Sequence, residues 1–191
     1  GKVVETSIRM LDNVLDATPW PLKNQKDEAM AKRRVGLGFT GLGDALIMLR
    51  LRYDTAEACQ MAARIAESMR DRAYLASIEL ARERGAFPLF NADLYLSGGN
   101  FASRLPTEIK QKIRQHGIRN GAQTTVAPTG TISTVAGCEG YGCEPVFALA
   151  YMRHVNDQGK RLTLQYTSPQ FERALRQAGL DDKTIQHVIE Q

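Results

Sequence analysis

Cysteine is scarce in this chain of 191 residues: Cys59, Cys138 and Cys143 are all it has. An odd, widely spaced set excludes the paired framework of a small secreted disulfide protein and fits a reducing, cytoplasmic setting. There is no CxxC, and no further Cys or His stands close to Cys138 and Cys143, so neither a dithiol redox motif nor a structural zinc site is indicated. Long apolar runs are missing too, which excludes a membrane-spanning helix, and Gly1-Lys2-Val3 does not open a secretory leader. The net charge is +4, but the basic residues are spread along the chain. Acidic small-molecule ligands fit that balance, whereas no basic patch for nucleic acid stands out. Internal repeats and low-complexity segments are absent. What remains is 43% hydrophobic and 24% charged, enough for one domain with a sizeable core. The chain starts near a helical pattern and stops inside one at Glu190-Gln191, so both ends read as cut from something larger.

Taken in order, Val4, Ile8, Leu11, Val14 and Leu15 recur at helical spacing and predict a helix over 3–16. Thr18-Pro19-Trp20-Pro21 ends it. Asp27 to Arg34 is a charged helical turn or two, and Val35 to Thr40 reads as a short buried strand or an extended glycine-rich segment. The run GLGFTGLG places Gly36, Gly38 and Gly41 in a literal GxGxxG. The βαβ unit and following acidic residue of a dinucleotide fold are not evident, so the glycines are read as packing where strand passes to helix. Asp44 and Arg33-Arg34 are read as holding that junction together.

A short helix follows at Asp44 to Leu51, then a long one from Thr55 to Arg84 behind a capping-box-like Asp54-Thr55-Ala56-Glu57. Cys59 on it is expected to be buried, with Met61 and Met69 in the core. Gly85 stops the helix, and Phe87 to Gly99 reads as a loop. A helix over Pro106 to Gln115 ends at Gly117. Strand Val146 to Arg153 suits burial. A turn at Asn156 to Gly159 and extended Lys160 to Tyr166 predict a hairpin return. Ser168-Pro169 and Asp181 each open a closing helix.

The stretch that organises the rest is NGAQTTVAPTGTISTVAGCEGYGCEP, Asn120 to Pro145. Gln123 to Ala127 is β-prone, Pro128 breaks it, and Thr129 can cap a short helix starting at Gly130. Such a junction turns unpaired N–H groups toward one spot and favours anions. Thr129, Thr131 and Ser133 add hydroxyls, and Gly130 allows close approach. Ala127 to Ser133 therefore reads as a phosphate cradle without the lysine of a P-loop. An ordinary capped strand-to-helix junction would carry the same residues.

APTGTIS followed by EPVFALAYMR resembles the late barrel segment of ribonucleotide reductases, most closely the adenosylcobalamin-dependent (class II) branch. RRVGLGFTGLGDAL (Arg33 to Leu46) and ARERGAFPLF (Ala81 to Phe90) agree in order and separation, and the likeness covers nearly the whole chain. The resemblance implies an α/β fold, helix-rich, forming the second half of a ten-stranded α/β barrel, with residues 1–191 as a single partial domain. It implies conversion of ribonucleotides to deoxyribonucleotides by thiyl-radical chemistry, with substrate phosphate on Thr129, Gly130, Thr131, Ile132 and Ser133. Adenosylcobalamin would serve the parent enzyme, and binding by this fragment is not expected. Implied partners are a ribonucleoside diphosphate or triphosphate, the rest of the reductase chain, and an external dithiol such as thioredoxin. Nucleic acid and membrane are not among them. The family's Asn-Pro-Cys-Gly-Glu radical loop is absent here. No catalytic residue and no metal ligand is assigned, and the isolated chain is expected not to turn over. Its apolar surface, normally covered by the partner half-barrel, would leave it marginal or self-associating. The alternative is a stand-alone nucleotide- or phosphate-binding module without catalysis. An NAD-linked enzyme would rest on Gly36 to Gly41 alone.

Overall fold

Apolar residues spaced three and four apart dominate the chain, and helices take most of it in the computed structural model, which describes residues 1–157 and 159–190. The chain sorts into two compact units, Gly1–Gly38 with Met61–Val126, and Phe39–Gln60 with Ala127–Gln191.

In the first unit, α1 (Lys2–Ala17) and α2 (Lys23–Lys32) precede most of the long helix α4 (Ala56–Arg84), and α5 (Ala92–Tyr95), a 3-10 turn (Phe101–Arg104) and α6 (Thr107–His116) follow. Ile109 and Ile113, one turn apart on α6, share a face and pack with Tyr74 and Ile78 of α4, Phe87, Leu96, Leu105 and Ile118. A smaller cluster joins Ile8 of α1 to Ala73, Ala76 and Leu80 of α4, with Val35 and Leu37 against it. Gly117, at φ +76°, ends α6 as the sequence predicts. The expected loop over Phe87 to Gly99 contains α5, because the Asn91 side chain accepts the Leu94 N–H and so caps a helical turn.

Strand structure here is slight. Extended residues 35–37 and 122–125 run parallel with one ladder bridge, Leu37 to Thr124. Val35 N–H donates to Ala122 O at 3.0 Å, Leu37 N–H to Gln123 O at 2.9 Å, and Thr125 N–H back to Leu37 O at 2.9 Å. Gly36 and Gly38 permit this approach: a Cβ on them would lie 3.0 Å from Thr125 Cγ2 and 2.8 Å from Thr125 O. The glycines are filled against protein, which is the packing role read from the sequence and leaves a dinucleotide no access to them.

Beneath the core of this unit lies a polar hub. Asp12, fully buried, accepts from Arg33 Nε (2.9 Å) and Asn120 Nδ2 (3.0 Å) on Oδ1, and from Arg84 and Arg119 (3.3 Å each) on Oδ2. Arg33 forks onto Asp16 as well, at 2.8 and 3.0 Å, and holds its carboxyl below the usual range. The Arg33 backbone is left-handed at φ 44° and caps α2, a conformation costing about 1–2 kcal/mol that these ion pairs offset.

In the second unit, α3 (Leu42–Met48) starts at Gly41 and the N-terminal turns of α4 follow; α7 (Gly130–Val135), an antiparallel hairpin of β1 (Ala150–Asp157) and β2 (Lys160–Thr167), α8 (Pro169–Gln177) and α9 (Asp182–Glu190) complete it. Ser168 and Asp181 cap α8 and α9 as expected, accepting N–H bonds from Phe171 (3.0 Å) and Thr184 (2.8 Å). At α4 the cap is Thr55 rather than Asp54, since Thr55 Oγ1 accepts the Ala58 N–H at 3.3 Å. Cys59 is exposed, not buried, because the buried position at that end is Ala58; Met61 and Met69 are only half-buried. The hairpin is where the sequence places it, but β1 begins at Ala150 rather than Val146 and is not buried: Met152 is exposed, as are Leu162 and Leu164 on its partner β2. Asn156 and Asp157 belong to the strand, and Gln158 of the expected turn lies outside the described residues. A two-stranded sheet in a helix-rich chain is the sheet content seen among the described residues.

Candidate functional site

Pro128 breaks the extended run, and the next residue, Thr129, takes a left-handed backbone (φ 52°, ψ 24°) at the N-cap of α7. A β-branched residue there is strained. The expected side-chain cap is not made. Ser133 Oγ donates its one proton to Tyr141 O at 3.1 Å, so the 3.1 Å contact between Thr129 and Ser133 has the threonine hydroxyl as donor. Ser133 is fully buried and its N–H donates to Thr129 O at 2.9 Å. The structure thus brings Thr129, Gly130, Thr131 and Ile132 together at one surface turn and directs Ser133 inward. Among the described residues the N–H groups of Gly130, Thr131 and Ile132 find no acceptor. Thr131 and Ile132 are exposed. A six-residue helix has a small dipole, so the three free N–H groups carry the attraction for an anion.

The turn leans on the 138–144 loop, which is itself pinned. Asp44 of α3 is buried and accepts the Glu139 N–H on Oδ1 (3.0 Å) and the Gly140 N–H on Oδ2 (2.7 Å). Gly41 N–H donates to Tyr141 O at 2.8 Å, and Tyr53 Oη donates to Cys143 O at 2.5 Å. The loop folds this closely because it lacks side chains where it matters: a Cβ on Gly142 would lie 2.5 Å from Ala127 O. Asp44 therefore holds its junction, as the sequence suggests, whereas Arg33 ties the end of α2 to Asp12 and Asp16 of α1, and Arg34 is exposed with Glu28 at 3.8 Å. Glu139 Oε1 accepts from Gln170 N–H at 3.3 Å, while its buried Oε2 has no partner among the described residues. Burial, then the charge of Glu139, pushes the nearby Tyr166 phenol up.

All three cysteines are free: Cys138 Sγ lies 3.4 Å from Thr40 Oγ1, and Cys143 is exposed. Cys138 and Cys143 lie in the loop after α7, Cys59 is exposed on α4, and no pair is joined. The described residues contain no cluster of three or more His, Cys, Asp or Glu able to hold a metal, and no helix long and apolar enough to cross a membrane.

Beside the turn, within the same unit, runs an open groove of about 920 Å³ bordered by Gly130, Thr131, Tyr141, Phe147, Tyr151 and Arg153.

Sequence reasoning found the turn from Pro128-Thr129-Gly130 and missed the Asp12 hub. A signal was present: Asp12 stands four residues after Ile8, on the same helix face, which marks a charge destined for the interior.

The family described as ribonucleotide reductase, barrel domain, matches residues 1–191. The chain is 34% identical, over 98% of its length, to the vitamin B12-dependent ribonucleoside-diphosphate reductase of Thermoplasma acidophilum. It is 36% identical over 93% of its length to the protein of that name from Mycobacterium tuberculosis. To the ribonucleoside-diphosphate reductase subunit alpha of Chlamydia muridarum it is 31% identical over 72%. It spans 22% of the length of the first two relatives and 15% of the third.

Proposed function

The chain belongs to the ribonucleotide reductase barrel-domain family, and from that premise we propose that it is one segment of a reductase converting ribonucleoside diphosphates to deoxyribonucleotides. Residues 1–191 then form one partial domain, the second half of a ten-stranded α/β barrel. The parallel pairing of 35–37 with 122–125 supports that reading, since parallel neighbours are what such a barrel requires. Exposed apolar residues on the hairpin, Met152, Leu162 and Leu164, are surface that a further part of the barrel would cover.

This segment's own share is to hold substrate phosphate. The observation that carries the proposal is the set of unpaired N–H groups at Gly130, Thr131 and Ile132, presented by a strained Thr129. Backbone donors at close quarters bind phosphate oxygens directly, and Thr131 adds an exposed hydroxyl. The buried Ser133 shapes the turn from within. The remaining parts of the reaction belong to the rest of the reductase chain. Adenosylcobalamin would supply the radical there, and an external dithiol such as thioredoxin would restore the thiols. None of Cys59, Cys138 and Cys143 takes either role, and the isolated chain is expected to form no deoxyribonucleotide.

Titration of a nucleoside diphosphate into the full-length reductase, followed through backbone amide resonances, tests the assignment. Shifts centred on Gly130, Thr131 and Ile132 are expected. Saturable binding that leaves these amides unmoved would refute it.

A further inference from the structure

We propose that Asp44 is a positioning residue for the phosphate turn, acting through the 138–144 loop; the inference rests on the phosphate reading of that turn. A continuous chain of hydrogen bonds inside the second unit links the two. Asp44 accepts the N–H groups of Glu139 and Gly140 at 3.0 and 2.7 Å. The next carbonyl along, Tyr141 O, receives the Gly41 N–H at 2.8 Å and the Ser133 hydroxyl at 3.1 Å. Ser133 in turn takes the proton of Thr129 Oγ1 at 3.1 Å. Thr129 is the residue whose left-handed backbone turns the next three N–H groups outward.

The links span 2.7–3.1 Å, the Asp44–Gly140 bond is buried and the other side-chain links are part-buried, so movement at one end is passed along the chain to the other. Both Asp44 oxygens accept from backbone donors and the residue is buried. Its contribution is geometric. It fixes the height of Tyr141 O, and that carbonyl decides whether Ser133 can hold Thr129 in its strained state. Without that hold Thr129 relaxes toward an extended backbone, and its three neighbours no longer converge on one anion.

Asp44→Asn keeps the size but sets an amide NH2 against an N–H that needs an acceptor. In the full-length reductase this variant should raise KM for a nucleoside diphosphate roughly tenfold and leave kcat within about twofold, the signature of lost binding common to ground and transition states. Ser133→Ala should do the same. The double variant should be no worse than the worse single one, because both break one chain. Glu108→Gln, which removes an exposed ion pair on α6 of the first unit, should leave KM unchanged. Should Asp44→Asn fail to fold, Asp44→Glu keeps two acceptors on a longer arm, and the same rise is expected. An unchanged KM in the folded Asp44 variant, a fall in kcat at constant KM, or additive effects in the double variant would overturn the proposal. Failure of the underlying reading is separable: it shows as wild-type amides at 130–132 that ignore the nucleotide. Wild-type amides that respond, with Asp44 variants that respond equally, would sink the positioning role alone.

Discussion

Replacing Asp12 by asparagine should destabilise the first unit by about 3 kcal/mol, the low end of what breaking a buried ion pair costs. The size follows from what the substitution strands. Asp12 is 0% exposed and the Arg33 side chain 4%, so the guanidinium has no water to turn to. Arg33 keeps its two bonds to Asp16, which is why the low end applies. The other two cations matter less. Arg84 retains Asn13 Oδ1 at 2.7 Å, and Arg119 retains the carbonyls of Arg84 and Gly85 at 3.2 Å each. Asparagine also turns an NH2 toward donors on one side of the hub, leaving a bond unmade in a buried place. The chain's single tryptophan, Trp20, is well placed to report this. It is half-buried in the same unit, and its Nε1 donates to Leu15 O at 3.1 Å, one residue from Asp16. Urea unfolding followed by its fluorescence should show the loss, and thermal unfolding should fall by roughly 12 °C. Glu108→Gln is the control. Its pair with Lys112 is exposed, 75% and 41%, and screened by solvent, so no measurable change in stability is expected. A loss below about 1 kcal/mol for Asp12→Asn would refute the claim that the hub holds Arg33.

Gly142→Ala should destabilise the second unit by roughly 1–3 kcal/mol, since its Cβ would lie 2.5 Å from the Ala127 carbonyl, whereas Gly98→Ala, with nothing within 4 Å, should be neutral or slightly stabilising. Equal melting temperatures for the two variants would contradict this. Of the six tyrosines, Tyr74 and Tyr95 are pushed up chiefly by burial, and Tyr166 by burial and Glu139. The folded state holds those protons longer than the unfolded chain, so their stabilisation is full below pH about 10 and is lost as pH rises beyond it. Ultraviolet titration should find three phenols ionising late, with Glu139→Gln bringing Tyr166 part of the way down. Six phenols titrating together would refute the burial.

The helices were legible because their apolar spacing is local and their stops are single residues: Gly85, Gly117, Ser168 and Asp181 each act where they stand. The exposure of Cys59 could have been read as well. Counting back seven residues from Ile65 on the buried stripe of α4 lands on Ala58, which puts Cys59 about a hundred degrees off that face. The strands were less legible. Gln123 to Ala127 has the composition of a strand, but one ladder bridge is what its neighbour 35–37 provides, and pairing is a property of two segments. The site was half legible. Pro128-Thr129-Gly130 announces a turn, and the turn is there. Those residues do not say that Thr129 leaves its capping role and gives its hydroxyl to Ser133, because that choice depends on a carbonyl eight residues beyond Ser133, at Tyr141. A threonine alone avoids the left-handed region by roughly 1–2 kcal/mol. Two hydrogen bonds of about 1 kcal/mol each can offset that, provided their acceptor does not move. The strain that aims the N–H groups is thus held at Asp44, far away in sequence, where no local pattern could have shown it.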